Sequence, residues 1–155
     1  MTMRFCAGRK AATLLALLVI ACAAGDAGSH ARRPALPNPM LYLQRVEYVT
    51  TGGKEFTRYY FGVENSAAYP DEMFAASPGL PPCGQNTKAS RTWVDIYASD
   101  GKRLQGFCAF GKASDLNSVW FALETDVVPP SWVYMELTDR STNTKYKSNL
   151  ADTAQ

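Results

Sequence analysis

Four cysteines, one histidine and a few neighbouring carboxylates are the side chains in this 155-residue sequence whose types and spacing could do chemistry. The histidine is His30, upstream of the part that has a folded domain's composition, so Ser-His-Asp and Cys-His chemistry are excluded from that part. No Cys-x-x-Cys pair occurs, and two isolated thiols with one distant histidine do not make the usual four-ligand zinc site. Gly52, Gly53 and Gly79 lack the Lys-Ser/Thr or paired glycines of a phosphate loop, which removes nucleotide binding. Two pairs of acids remain, Asp71 with Glu72 and Glu124 with Asp126. Paired carboxylates can cleave glycosides or hold calcium. Adjacent acids in loops are more often solvated, and Asp95 and Asp100 fit a strand face and a turn. The expectation is a non-catalytic protein with no catalytic residue, cofactor or metal, a carboxylate-dependent hydrolase being the enzymatic alternative.

The thiols carry more information. Cys83 stands in LPPCGQ, between prolines and a glycine, and Cys108 stands in GFCAF. In an exported domain a lone thiol rarely stays free, and Cys108 is the only mate left inside the folded part. A Cys83–Cys108 bridge would close 25 residues of chain and restrict the unfolded ensemble by about 3 to 4 kcal/mol. Its structural effect would be to staple a long irregular segment onto a strand.

The elements that must position these residues read as strands. Residues 57–65, TRYYFGVEN, set Tyr59, Phe61 and Val63 against Tyr60, Gly62 and Glu64, and this period of two puts one set on a core face. Residues 41–49, 92–98, 103–109, 118–123, 132–138 and 144–147 share the β-branched or aromatic enrichment of strands. Ser99-Asp100-Gly101-Lys102 reads as a hairpin turn, residues 139–143 as another, and Val127-Val128-Pro129-Pro130 as a break ahead of Trp132. No stretch has sustained helical periodicity. About seven short strands predict an all-β fold, an antiparallel immunoglobulin-like β-sandwich over residues 40–150, with 151–155 as a disordered tail. A length of 155 residues suits one such domain.

The first residues differ in kind. Arg4, Arg9 and Lys10 precede the unbroken apolar run AATLLALLVI, a positive head and short greasy middle that predict a signal peptide over residues 1–23. Ten apolar residues rise only about 15 Å as a helix, roughly half a bilayer core. Residues 24–39 then read as a small, polar and finally proline-rich tether holding His30, Arg32 and Arg33. Without the signal's three basic residues, 13 basic side chains face 14 acidic ones. This near-neutral balance gives no electrostatic reason for nucleic acid or anionic lipid as a partner.

Val19-Ile20-Ala21-Cys22 resembles the lipobox of bacterial lipoproteins, which implies a lipid on Cys22 after cleavage at Ala21. Ala21-Cys22-Ala23 equally offers an ordinary small-x-small cleavage site before Ala24, so both outcomes stay open. The order Cys83, Trp93, Cys108 is similar to immunoglobulin domains in architecture alone, because their cysteines lie on strands far apart in the chain. Phe61 to Ser66, a strand running into Asn-Ser and a proline-containing loop, resembles bacterial immunoglobulin-like modules that include proteinase inhibitors. That likeness implies binding through loops, without a cofactor.

The segment 66–91 is the longest irregular stretch, and connections beyond about 15 residues are usually functional or disordered. Tyr69, Met73 and Phe74 either form an apolar partner-binding surface there, extended by Trp120 or Trp132, or cover an open end of the sandwich. The functional expectation is an exported bacterial envelope protein, periplasmic or lipid-anchored at the outer membrane, that recognises a protein or cell-wall component through this loop. An inhibitor of a secreted hydrolase acting through the same loop is the sharper alternative.

Overall fold

In a computed structural model, residues 35–83 and 88–154 are described. The expected signal peptide, Cys22 and His30 lie outside the described residues. Among the described residues, eight strands form two antiparallel sheets: β1 (Leu41–Thr51), β2 (Lys54–Val63) and β5 (Val119–Glu124) in one, and β4 (Arg103–Phe107), β3 (Thr92–Ala98), β6 (Trp132–Asp139) and β7 (Thr144–Lys147) in the other, with β8 (Ala151–Asp152) also on β6. The strand orders β1-β2-β5 and β4-β3-β6-β7 make an immunoglobulin-like sandwich whose fourth strand pairs with β3, where constant-type domains place it on the sheet of the first two strands.

Side-chain alternation builds the core. Tyr59, Phe61 and Val63 of β2 point inward beside Val119 and Phe121 of β5, and Val94, Ile96, Val133, Met135 and Leu137 close the core from the second sheet. Phe121 stacks on both Tyr59 and Phe61, with ring centroids 4.9 and 5.8 Å apart. Gly52 and Gly53 both take positive φ, 61° and 76°, between the paired Thr51 and Lys54. That is the two-residue turn whose twist suits a hairpin. At the 99–102 turn, the Asp100 carboxylate accepts the Lys102 amide at 2.9 Å.

Two boundary expectations change. Residues 151–155 were expected as a disordered tail, but Ala151–Asp152 pairs with Val133 and Trp132 as β8, and Thr153 is buried. Asn149 makes this continuation possible: its side-chain oxygen accepts the Leu41 amide at 2.7 Å and its nitrogen donates to the Leu41 carbonyl at 3.0 Å. The side chain thereby satisfies an edge strand and ties the segment leading into β8 to the start of β1. The tether also ends earlier than residue 39. Leu36 packs on the core, Tyr69 donates its hydroxyl to the Pro37 carbonyl at 2.6 Å, and Asn65 donates to the Asn38 carbonyl at 2.9 Å.

The strands define two poles. The start of β1, the end of β2 and the start of β5 share one pole with segment 66–91 and three short 3-10 turns, Ser66–Ala68, Asp71–Met73 and Ala113–Ser118. The opposite, distal pole carries the β1–β2 hairpin tip, the 99–102 turn and the connection 125–131. The ten residue steps of β1 at about 3.3 Å each separate the poles by roughly 30 Å. Residue 35 enters at the first pole.

Candidate partner-binding pole

The acids singled out by spacing are in structural use or stand alone. Asp71 accepts the Ala113 amide at 2.9 Å, fastening the 66–91 segment to the 3-10 turn before β5. Asp71 and Glu72 border a polar depression of about 480 Å³ with Ser66 and Lys112, but a carboxylate spent on a backbone cap is not placed as a general base. Glu124 pairs with Lys54 at 2.6 Å, and Asp126 is exposed beyond it. One carboxylate pair was not legible from spacing: the register sets Asp95 of β3 directly opposite Glu136 of β6. Each has its own cation, Arg103 at 2.6 Å and Lys145 at 2.7 Å. Like charges facing across a ladder are tolerated only with such compensation. Gly106, opposite Asp95, leaves room for the Arg103 guanidinium, where a Cβ would overlap it. The described residues hold no cluster of three or more metal-ligating side chains.

The Cys83–Cys108 disulfide is present, with Cα atoms 5.9 Å apart, inside the usual span for a bridge. The segment it staples is folded back on itself. Ala76 bridges Ser90, Ser77 donates to Ala89, Arg91 donates to Ala75, and Ser90 donates to the Cys108 carbonyl at 2.8 Å. Its end is latched by Arg91, whose guanidinium makes two bonds of 2.9 and 2.6 Å to the Asp139 carboxylate. With the Ser141 amide and hydroxyl added, these donors hold the Asp139 carboxyl well below the usual carboxylate range.

This geometry corrects the proposed apolar surface. Tyr69, Met73 and Phe74 are only 3, 4 and 0% exposed. Phe74 meets Phe110 edge-on at 6.1 Å, Tyr69 meets Tyr146 at 6.3 Å, and the Met73 carbonyl accepts the buried Thr92 hydroxyl. These side chains cover one open end of the sandwich. The loop tip at 78–82 is exposed, but it consists of prolines, a glycine and one half-buried leucine, and contains no large anchor.

Both outer sheet faces carry aromatic residues that already have partners. On the first sheet Arg45 lies over the Tyr60 ring at 3.7 Å and Arg58 over Trp120 at 4.5 Å. On the second, Tyr97 stacks on Tyr134, Lys147 lies over Tyr134, and Arg140 lies over Trp93. The distal pole differs: Tyr48, Val127, Val128 and Trp132 are 79, 48, 88 and 45% exposed. Tyr48 lies opposite Thr57, on the core side of the first sheet, yet beyond the reach of the second sheet. The mouth of the sandwich is left open there as a groove of about 350 Å³ between Tyr48 on one side and Val127 and Pro129 on the other.

The connection that presents these residues is held at several points. Thr125 donates to Glu55, Val127 to Glu124, and Thr153 gives its amide to Ser131 and its hydroxyl to the Pro130 carbonyl at 2.6 Å. Two prolines stiffen the rest. In the sequence, Val127-Val128-Pro129-Pro130 reads only as a break. The available signal was a pair of branched apolar residues in a connection, where no core face exists to receive them.

No protein-family model matches the chain, and no curated protein matches it either. Among solved structures, that of the human pre-T cell receptor is similar over 75% of this chain and 99% of that chain, at 14% identity and a TM-score of 0.41. At that distance the likeness carries no argument, and the immunoglobulin-like architecture is defined by the strand orders themselves.

Proposed function

We propose that this protein is an exported, non-catalytic bacterial envelope module that binds a protein or cell-wall component through its distal pole. It is anchored by a lipid on Cys22 or released into the periplasm after cleavage. The observation that carries the reading is the opposition of the two poles. The chain enters the sandwich at the pole sealed by Tyr69, Met73 and Phe74, whereas Tyr48, Val127, Val128 and Trp132 are exposed together about 30 Å away at the other, Met40, Tyr42 and Leu150 being the remaining large exposed apolar side chains among the described residues. A module tethered upstream of residue 35 would thus turn Tyr48, Val127, Val128 and Trp132 outward. The Cys83–Cys108 bridge supports export, because such bonds persist in oxidising compartments. Pinning of the 125–131 connection supports binding, since a rigid loop loses little entropy on association.

The test combines fractionation with site-specific photocrosslinking of the full-length chain in bacterial cells. The expected result is recovery in the envelope or periplasm, with alkylation-resistant Cys83 and Cys108, and adducts from a probe at Val128 but not at Glu72. Cytoplasmic recovery with free thiols, or adducts from Glu72 alone, would overturn the proposal.

A further inference from the structure

Beneath the exposed rim, the floor of the distal groove is formed by Thr57 and Tyr59. Tyr59 is only 7% exposed, and its hydroxyl makes no hydrogen bond to any described residue. Among the described residues, the buried side-chain polar atoms without a partner are Arg58 Nε and Trp93 Nε1, so the Tyr59 hydroxyl is the part of this side chain that reaches the open cleft, where it is free to donate to a bound segment. Burial, together with the nearby Tyr48 hydroxyl, pushes the Tyr59 hydroxyl pKa up, so it stays a neutral donor.

The shoulder of the groove, next to Thr125, is acidic. Glu55, Glu124 and Asp126 cluster there with Lys54 as the cation among the lining residues. Lys54 is bound to Glu124, and neither Glu55 nor Asp126 has an ion pair among the described residues. Resting on the distal-pole reading above, we propose that the groove receives an apolar side chain from an extended, basic segment of a partner protein. Tyr59 donates to that segment's backbone, and its lysines or arginines face Glu55 and Asp126. A second copy of this chain fits poorly, because an isologous contact sets the acidic shoulder against itself.

The experiment is fluorescence anisotropy with the full chain and a labelled peptide, Lys-Val-Lys-Phe-Lys-Val-Lys. Its counterparts carry Glu for Lys or Ser for the apolar residues, and a neutral cell-wall oligosaccharide is the fourth probe. The basic apolar peptide is expected to bind roughly tenfold or more tightly than the acidic or serine versions, and to weaken with added salt. Tyr59→Phe, which removes no internal bond, should lower binding about three- to tenfold while leaving the melting temperature unchanged. Binding indifferent to peptide charge, unaltered by Tyr59→Phe, or confined to the oligosaccharide overturns the proposal. So does concentration-dependent dimerisation lost on Val128→Ser. If the peptide fails while a Val128 photoprobe still crosslinks in cells, the chemistry assigned to the partner is refuted and the polar orientation stands. If both fail, both are refuted.

Discussion

Substituting Phe74 by alanine tests whether segment 66–91 is a cover or a surface. The ring has no exposed area and lies edge-on to Phe110 at 6.1 Å, in a cluster that includes Met73 and Leu116. Removing a buried phenylalanine ring costs about 3 to 5 kcal/mol, the transfer of its carbons plus the cavity left behind. In a domain of this size the melting temperature should fall by roughly 15 °C or more. Val128→Ser removes a side chain that is 88% exposed and should stay within about 0.5 kcal/mol of the parent. Urea unfolding followed by tryptophan fluorescence reads both, with the midpoint shifting and the slope constant. If Phe74→Ala costs less than about 1 kcal/mol while Val128→Ser costs more, the assignment of sealed and open poles is wrong.

Replacing Cys83 and Cys108 together by alanine should cost about 3.5 kcal/mol, from closure of a 25-residue separation, as measured by the urea midpoint against the oxidised parent. Asp139→Asn should cost about 2 to 3 kcal/mol near neutral pH, because it breaks charged bonds to Arg91 on a carboxylate that is almost fully buried. Since the folded pKa of Asp139 is depressed, its stabilisation is complete above the ordinary value of about 3.8 and is lost as pH falls below it. The variant's stability curve should therefore be flatter between about pH 4 and 2 than the parent's. Asp71→Ala should cost about 1 kcal/mol through the freed Ala113 amide and leave partner capture intact. Loss of capture by a folded Asp71→Ala protein would return that loop to the binding site.

Much of the fold was legible because strand periodicity is local. Alternation in Tyr59, Phe61 and Val63 named the inward face of β2, and Gly101 marked a turn that only a residue tolerant of positive φ makes cheaply. The bridge was also readable, since a single mate remained for Cys83 in the folded part. Pairing across strands was not. Asp95 and Glu136 are 41 positions apart and become neighbours only through register, and Ala151–Asp152 is too short to show a period before Val133 receives it.

The candidate site divides along the same line. Composition and alternation by themselves determined a sandwich with a stapled irregular segment, because those signals depend on neighbours in the chain. Whether Tyr69, Met73 and Phe74 face inward, and whether Tyr48, Val127 and Val128 face outward, was decided by which mouth of the sandwich the 66–91 segment fills. An irregular segment has no period to reveal its buried side, so its direction follows from the space left between two packed sheets.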